Sequence, residues 1–171
     1  PFGLNFIPGP WVESIQLNKG VGSVVNGYES IAGQINIELK KPATAEKLYL
    51  NAYINDMTKT DLNLVLTEKF GKNWSTALLL HDNFQTKNNV DYNDDGFRDM
   101  TTGNLFTAVN RWNYNGGKGF ESQLGFKILN DDLTGGQTSF DPDKDKFTTR
   151  SYGLGINTRR YEVFAKAGYV F

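Results

Sequence analysis

From residue 47 onward, apolar and polar residues alternate along the chain with a period of two. This period is typical of β-strands, in which successive side chains point to opposite faces of a sheet. Seven segments show the alternation: residues 47–55, 61–67, 74–81, 106–114, 120–128, 151–156 and 161–171. The sequence therefore predicts an all-β chain in which about seven antiparallel strands follow one another.

The first 42 residues have a different pattern. Two short strand-like runs, 11–17 and 34–39, are separated by a stretch with several glycines, which allow tight turns and close backbone approach. Residues 40–42, Lys-Lys-Pro, end this unit because proline cannot donate to a central strand ladder. We expect two domains, residues 1–42 and residues 43–171.

Both faces of the predicted strands suit a transmembrane β-barrel. Each strand approaches the ~9–11 residues that a tilted strand needs to cross a bilayer. Aromatic residues lie near strand ends, where such barrels place interfacial girdles: Tyr53, Trp74, Trp112, Tyr114, Phe120, Tyr161 and Tyr169. The opposite face is polar, as a wet interior requires: Lys47, Asn51, Arg111, Glu121, Gln123, Lys127, Glu162 and Lys166. A soluble β-sandwich also has alternating strands, but these are usually shorter, and its inner face is a second apolar core.

Connections of two lengths alternate between the predicted strands. The second, fourth and sixth are short (68–73, 115–119, 158–160), the third and fifth are long (83–102, 130–146), and the short first link at 56–59 is the exception. Outer-membrane barrels have short periplasmic turns and longer external loops. The alternation predicts that both long loops lie on the same, external side.

Composition limits the possible functions. The net charge is −1, which provides no basic face for nucleic acid. The absence of cysteine excludes disulfides and thiol catalysis, and we interpret the single histidine, His81, as a polar strand residue. No nucleophile or carboxylate pair has a partner placed by a motif. We expect a protein that is neither an enzyme nor a nucleic-acid binder.

The start of the chain is also informative. It begins Pro1-Phe2-Gly3, without an initiating methionine or a signal peptide, and we expect it to be an internal piece of a longer precursor. Seven strands of a barrel wall would leave two open edges, which neither water nor a membrane tolerates. Both arguments predict further strands outside this chain.

The sharpest local motif predicts a calcium loop at residues 91–99. It places side-chain oxygens of Asp91, Asn93, Asp95 and Asp99 at loop positions 1, 3, 5 and 9, Gly96 at position 6 and the Phe97 carbonyl at position 7. Ca²⁺ takes six to eight oxygen ligands, and the glycine allows a sharp turn around it. Position 12 is Thr102 instead of a bidentate glutamate, so the predicted site is weak, and the alternative is a solvated acidic turn. Residues 141–146 and 130–132 are predicted to be solvated acidic loops.

The amino-terminal segment resembles the end of the plug domain of TonB-dependent receptors. The match lies in residues 12–20, Val-Glu-Ser-Ile-Gln-Leu-Asn-Lys-Gly, followed by Ser23, Gly27, Gly33 and Ile35-Asn36-Ile37. Asn26-Gly27-Tyr28 stands where the family usually has Tyr-Gly, and Ala32-Gly33-Gln34 replaces a double glycine. About forty residues match by motif and the remainder by strand pattern, in a style similar to receptors of the Bacteroidetes lineage.

This resemblance implies a fold and a function. The fold would be a plugged transmembrane antiparallel barrel of about 22 strands, of which this chain carries a short α/β plug remnant and the first strands. The function would be uptake of a scarce nutrient such as a metal chelate of the siderophore type, energised through the inner-membrane TonB complex. Its partners would be that complex, a small-molecule substrate and outer-membrane lipid. The alternatives are a non-transporting outer-membrane structural or assembly subunit, and a secreted calcium-binding β-protein.

Overall fold

The computed structural model describes residues 6–21, 33–85 and 90–170, together with Leu4. These residues form a 3₁₀ turn at Gly9–Trp11 and eight β-strands. The strands are β1 (Val12–Lys19), β2 (Gly33–Leu39), β3 (Leu48–Ile54), β4 (Lys59–Phe70), β5 (Trp74–Gln85), β6 (Thr102–Asn115), β7 (Phe120–Gly136) and β8 (Gly153–Tyr169).

The strands form two antiparallel sheets. β1 pairs with β2, and β3 to β8 form a six-stranded sheet in which each strand pairs with its neighbour in the chain. The predicted all-β fold and antiparallel pairing are confirmed. The closed barrel, the plug and the two-domain division stay predictions.

The prediction of seven strands after residue 42 is wrong, since the described residues 43–85 and 90–170 form six. Residues 158–160, predicted as a turn, continue β8, with Arg159 opposite Asn130 and Arg160 opposite Leu129 of β7. Residues 130–132, predicted as a solvated loop, belong to β7 in the same ladder. Polar residues occupy both faces here, so the alternation disappears from the sequence although the backbone pairing continues.

The helical part of the predicted α/β segment is not found within residues 6–21 and 33–42, which contain only the 3₁₀ turn and the two strands as regular elements. The motif residues Ser23, Gly27 and Tyr28 lie outside the described residues, as does Phe171. No helix in the described ranges is long and apolar enough to cross a membrane.

The two ends of the six-stranded sheet differ in the length of their connections. One end, the turn end, has the short connections 71–73 and 116–119. The other, the loop end, has the turn 55–58, the first long loop (described over residues 90–101) and the second long loop (137–152). At the turn end Gly119 has φ 84°, and a Cβ there would lie 2.1 Å from the Val170 carbonyl oxygen, so the turn requires glycine.

Candidate functional site

One face of the six-stranded sheet, the apolar face, exposes large apolar side chains along five of its strands, β3, β4, β5, β7 and β8. Its members are Leu48, Leu50, Ile54, Leu62, Leu66, Phe70, Trp74, Phe120, Leu124, Phe126, Ile128, Tyr161, Val163 and Tyr169. They share a face because the pairing register aligns them across neighbouring strands. Soluble monomers rarely expose so large a contiguous apolar patch.

The apolar face has an aromatic edge and a polar edge. At the turn end the Phe70 and Trp112 rings stack at 5.8 Å, and the Trp74 and Tyr114 rings lie 4.8 Å apart. Towards the loop end the same face becomes polar, and the Asn104 amide donates to the Asp82 carboxylate at 2.8 Å. The apolar face is therefore an apolar band with an aromatic edge at the turn end and a polar edge towards the loop end.

The apolar band also crosses the strands at an angle. Position 51 is the middle of the apolar run on β3, and position 165 is the middle of the run on β8. When the strand pairing is followed from β3 to β8, the residue of β8 that lies level with position 51 is Arg160. The middle of the apolar run on β8 is position 165, so the band shifts by about five residues over five strand pairs. With ~3.3 Å per residue and ~4.8 Å between strands, this shift is a tilt of roughly 35°. Membrane-barrel strands tilt by about 35–45°.

The opposite face, the covered face, is the one on which Trp11 packs. Trp11 is buried together with Val65, Ala77, Leu79 and Val109, which we call the apolar pad. On the same face, Arg111 donates to the carbonyl oxygens of Leu39 and Lys40, both at 3.3 Å. The covered face thus holds the beginning of the chain by apolar packing of Trp11 and Leu39, by hydrogen bonds to backbone oxygens, and by the Lys40 ammonium 4.3 Å from the centre of the Tyr49 ring.

A polar network borders the apolar pad. His81 is buried, with its Nδ1 2.8 Å from Asn63 Oδ1, and the Asn63 amide donates to Asp61 and Asn51. Asn83 donates to the second Asp61 oxygen at 3.1 Å. The interpretation of His81 as a polar strand residue is confirmed, because it pairs within the β4–β5 ladder.

The polar residues predicted to line a barrel interior share the covered face, with one exception. The register places Asn51, Arg111, Glu121, Gln123, Lys127, Glu162 and Lys166 on it. Lys127 and Glu162 also pair with each other at 3.5 Å. Lys47 precedes β3 and pairs with Glu68 at 3.4 Å.

Asp131 is a polar residue that sequence reasoning misplaced. It is buried on the covered face, opposite Thr158 of β8. The Asp131–Asp132 pair looks like a solvated turn in the sequence, but the extension of the β7–β8 ladder determines its environment.

The apolar pad is a feature that sequence reasoning missed. Its residues lie on the otherwise polar face of their strands, between Asn63 and Thr67 on β4 and between Thr107 and Arg111 on β6. The signal is a local loss of alternation, visible as consecutive apolar residues at 64–66, 77–80 and 108–109. Such a run means burial on both faces of a strand.

The predicted calcium loop is a compact turn stabilised by its own side chains. The Asp91 carboxylate accepts from the amides of Asp95 at 3.2 Å and Gly96 at 2.9 Å. Asp95 accepts from the Phe97 amide at 2.8 Å, and Asp99 from the Tyr92 amide at 2.7 Å. The Asn93 amide donates to Asp95 at 3.0 Å.

Gly96 has φ 83°, so the sharp turn expected at loop position 6 is present. Within the described ranges, no group of three or more His, Cys, Asp or Glu side chains is arranged to hold a metal ion. Calcium binding by Asp91, Asn93, Asp95, Phe97 and Asp99 stays a prediction.

The two long loops are joined to each other. Phe97 forms an isolated antiparallel bridge with Gln137, and the Thr138 amide donates to the Gly96 carbonyl at 2.9 Å. The Arg98 guanidinium donates to three carbonyl oxygens of the second long loop, those of Gln137, Thr138 (3.1 Å) and Phe140 (3.0 Å). The loops therefore form one unit at the loop end.

The second long loop encloses a groove of about 620 Å³ against β7 and β8. Phe140, Pro142, Tyr152 and Leu154 contribute its apolar lining, and the fully exposed Phe147 lies at its rim. Residues 141–146 are exposed as predicted at Asp143, Lys144 and Lys146, but Asp145 is buried and pairs with Arg150 at 3.1 Å. The groove is a concave surface of ligand size at the loop end.

Comparison of the chain with protein-family models finds no match, and searches of curated proteins and of solved structures find none either.

Proposed function

We propose that this chain is part of an outer-membrane active-transport receptor of the TonB-dependent type. In this proposal, residues 1–42 belong to a plug and residues 43–171 to a barrel wall that contacts outer-membrane lipid. The receptor imports a small molecule, such as a metal chelate, when the inner-membrane TonB complex acts on the plug. Nucleic acid and catalysis have no part in it.

The observation that carries the membrane part of the proposal is the tilted apolar band. The band has an aromatic edge and a polar edge, and its roughly 35° slope is what strands inclined in a bilayer require. The opposite face carries most of the polar strand residues, as a wet interior requires, although the apolar pad and apolar residues such as Leu129 and Phe164 also lie on it. A secreted calcium-binding protein would have no reason to expose this band.

The transport part of the proposal rests on the resemblance of residues 12–37 and on the loop end. The long loops, joined through Arg98 and bordering the groove, are the surface on which an external ligand would first bind. The covered face holds the amino-terminal segment beneath them. An external ligand surface and a retained interior segment are the two parts that gated uptake needs.

Fractionation and uptake measurements on the full-length protein test both parts. We expect an outer-membrane protein whose folded form migrates differently in SDS before and after boiling. We further expect uptake of a metal chelate that stops when the membrane potential is collapsed. A folded membrane protein without energy-dependent uptake would favour the structural or assembly subunit. A soluble protein that folds only with calcium would favour the secreted module.

A further inference from the structure

The apolar pad is a small apolar island flanked by polar residues along its strands. Asn63, His81 and Thr107 border it towards the loop end, and Thr67 and Arg111 border it towards the turn end. Val65, Ala77 and Leu79 have no solvent exposure, and Val109 has 2%. An apolar island in such a face is favourable only while another apolar group covers it.

Trp11 packs on this pad. Its side chain is 1% exposed, and its ring meets the His81 ring edge to face at 6.3 Å. Its indole N–H has no hydrogen-bond partner among the described residues, so packing alone holds the side chain. Trp11 can therefore leave the pad without breaking a side-chain hydrogen bond.

Backbone contacts fix Trp11 to the end of the β1–β2 hairpin. Its amide donates to the Pro8 carbonyl at 3.1 Å, which closes the 3₁₀ turn, and its carbonyl accepts from the Lys40 amide at 2.8 Å. The far part of the hairpin is different, because Ile15 and Leu17 on β1 and Ile35 on β2 are exposed. Among the described elements, neither β1 nor β2 makes an extensive contact with the six-stranded sheet.

We propose that Trp11 is a releasable latch, a positioning residue that retains the amino-terminal segment on the sheet. The hairpin is attached at its Trp11 and Leu39–Lys40 end, so a force on the segment acts on the packing of Trp11 and Leu39, on the Lys40 contact with the Tyr49 ring and on the Arg111 bonds to backbone carbonyls. Among these contacts, Trp11 is the side chain that covers the pad. Leaving the pad uncovers Val65, Leu79 and Val109 and opens the covered face. The latch is a property of the fold, and its part in transport rests on the proposed function.

A single reporter cysteine tests the latch directly. These 171 residues contain no cysteine, and Ala77 lies fully buried in the pad, so Ala77→Cys is a small change. Labelling is read on the proteolytic peptide that contains residue 77, which separates it from any cysteine elsewhere in the protein. The rate of its reaction with a polar maleimide is measured on the folded full-length protein in detergent. We expect slow labelling with Trp11 present, labelling at least tenfold faster with Trp11→Ala, and an intermediate rate with Trp11→Phe.

Two controls separate the latch from general loosening. Trp74→Ala removes the same side chain from the apolar face and is expected to leave the Ala77→Cys rate unchanged. A second reporter, Leu129→Cys, lies buried elsewhere on the sheet and is expected to stay protected in Trp11→Ala. An unchanged Ala77→Cys rate in Trp11→Ala, or equal deprotection of Leu129→Cys, would overturn the latch. The labelling needs no substrate, so failure of the latch and failure of the proposed transport are distinct results.

Discussion

Ile128 and Asn130 are two residues apart on β7, point to the same face and lie on opposite sides of the boundary between apolar band and polar edge. If the band contacts lipid, Ile128→Arg buries a charge in hydrocarbon, whereas Asn130→Arg places it near the interface. We expect Ile128→Arg to lower the free energy of unfolding in lipid vesicles by about 2–4 kcal/mol and Asn130→Arg by about 0–1 kcal/mol. Urea titration checks both variants, and equal effects would contradict a lipid-facing band.

Asp91 and Asp95 are the residues on which calcium binding at the first long loop depends most. We expect the protein to bind Ca²⁺ with a dissociation constant of about 10⁻⁴–10⁻³ M, since Thr102 stands in place of the bidentate ligand. Asp95→Asn should weaken this binding at least tenfold in calorimetric titration. Asp143→Asn in the second long loop is the matched control, and binding that weakens equally in both variants would argue for a diffuse acidic surface.

Asp141 and Lys144 supply a pH-dependent contact. The Lys144 ammonium, 2.9 Å from the carboxylate, and the Asp143 amide hold the pKa of Asp141 below its ordinary value. Because the Asp141 pKa is lower in the folded protein than in the unfolded chain, the contact stabilises the folded protein at pH values above the unfolded-state pKa. This stabilisation is lost as the pH falls through the folded-state pKa. Lys144→Gln should move the Asp141 pKa upward in an NMR titration, and an unmoved pKa would show that backbone bonds alone depress it.

The two long loops are elements that sequence reasoning treated separately but that Arg98 holds together. Arg98→Lys keeps the charge and loses the planar fork that reaches three carbonyl groups. We expect hydrogen exchange of the Thr138 amide, which bonds to Gly96 across the loops, to become about tenfold faster. Arg150→Lys removes contacts internal to the second long loop and should not affect this amide. If Arg150→Lys has the same effect, the loops are not coupled through Arg98.

The alternation of apolar and polar residues predicted some of the strands correctly and others wrongly. It located β3 to β6 and the start of β7 because each of these stretches has an apolar and a polar face. It failed at β8, where apolar residues change face between Ile156 and Tyr161, so one strand looked like two. Hydrogen bonds with β7 decide the outcome there, and these depend on a partner that the local sequence does not specify.

The candidate site was predictable to a similar extent. The polar covered face and the turn at Gly96 follow from residue types and spacing. The apolar pad and the Arg98 contacts do not, because each depends on residues far apart in the chain. Trp11 and Val109 are nearly a hundred positions apart, and only the fold brings them together.

At the scale of the whole molecule, the tilt of the apolar band determines how wide a closed ring of such strands would be. Each strand inclined by roughly 35° occupies about 6 Å of circumference, so these six strands make about 35 Å of wall. A ring closed by the ~22 strands of the proposed family would be about 40 Å in diameter. Side chains cannot fill an opening of that diameter, and left empty it would let the contents of the periplasm leak out. In the proposed receptor a folded segment would have to occupy it, and the Trp11 contact is where residues 1–42 would be attached to the wall.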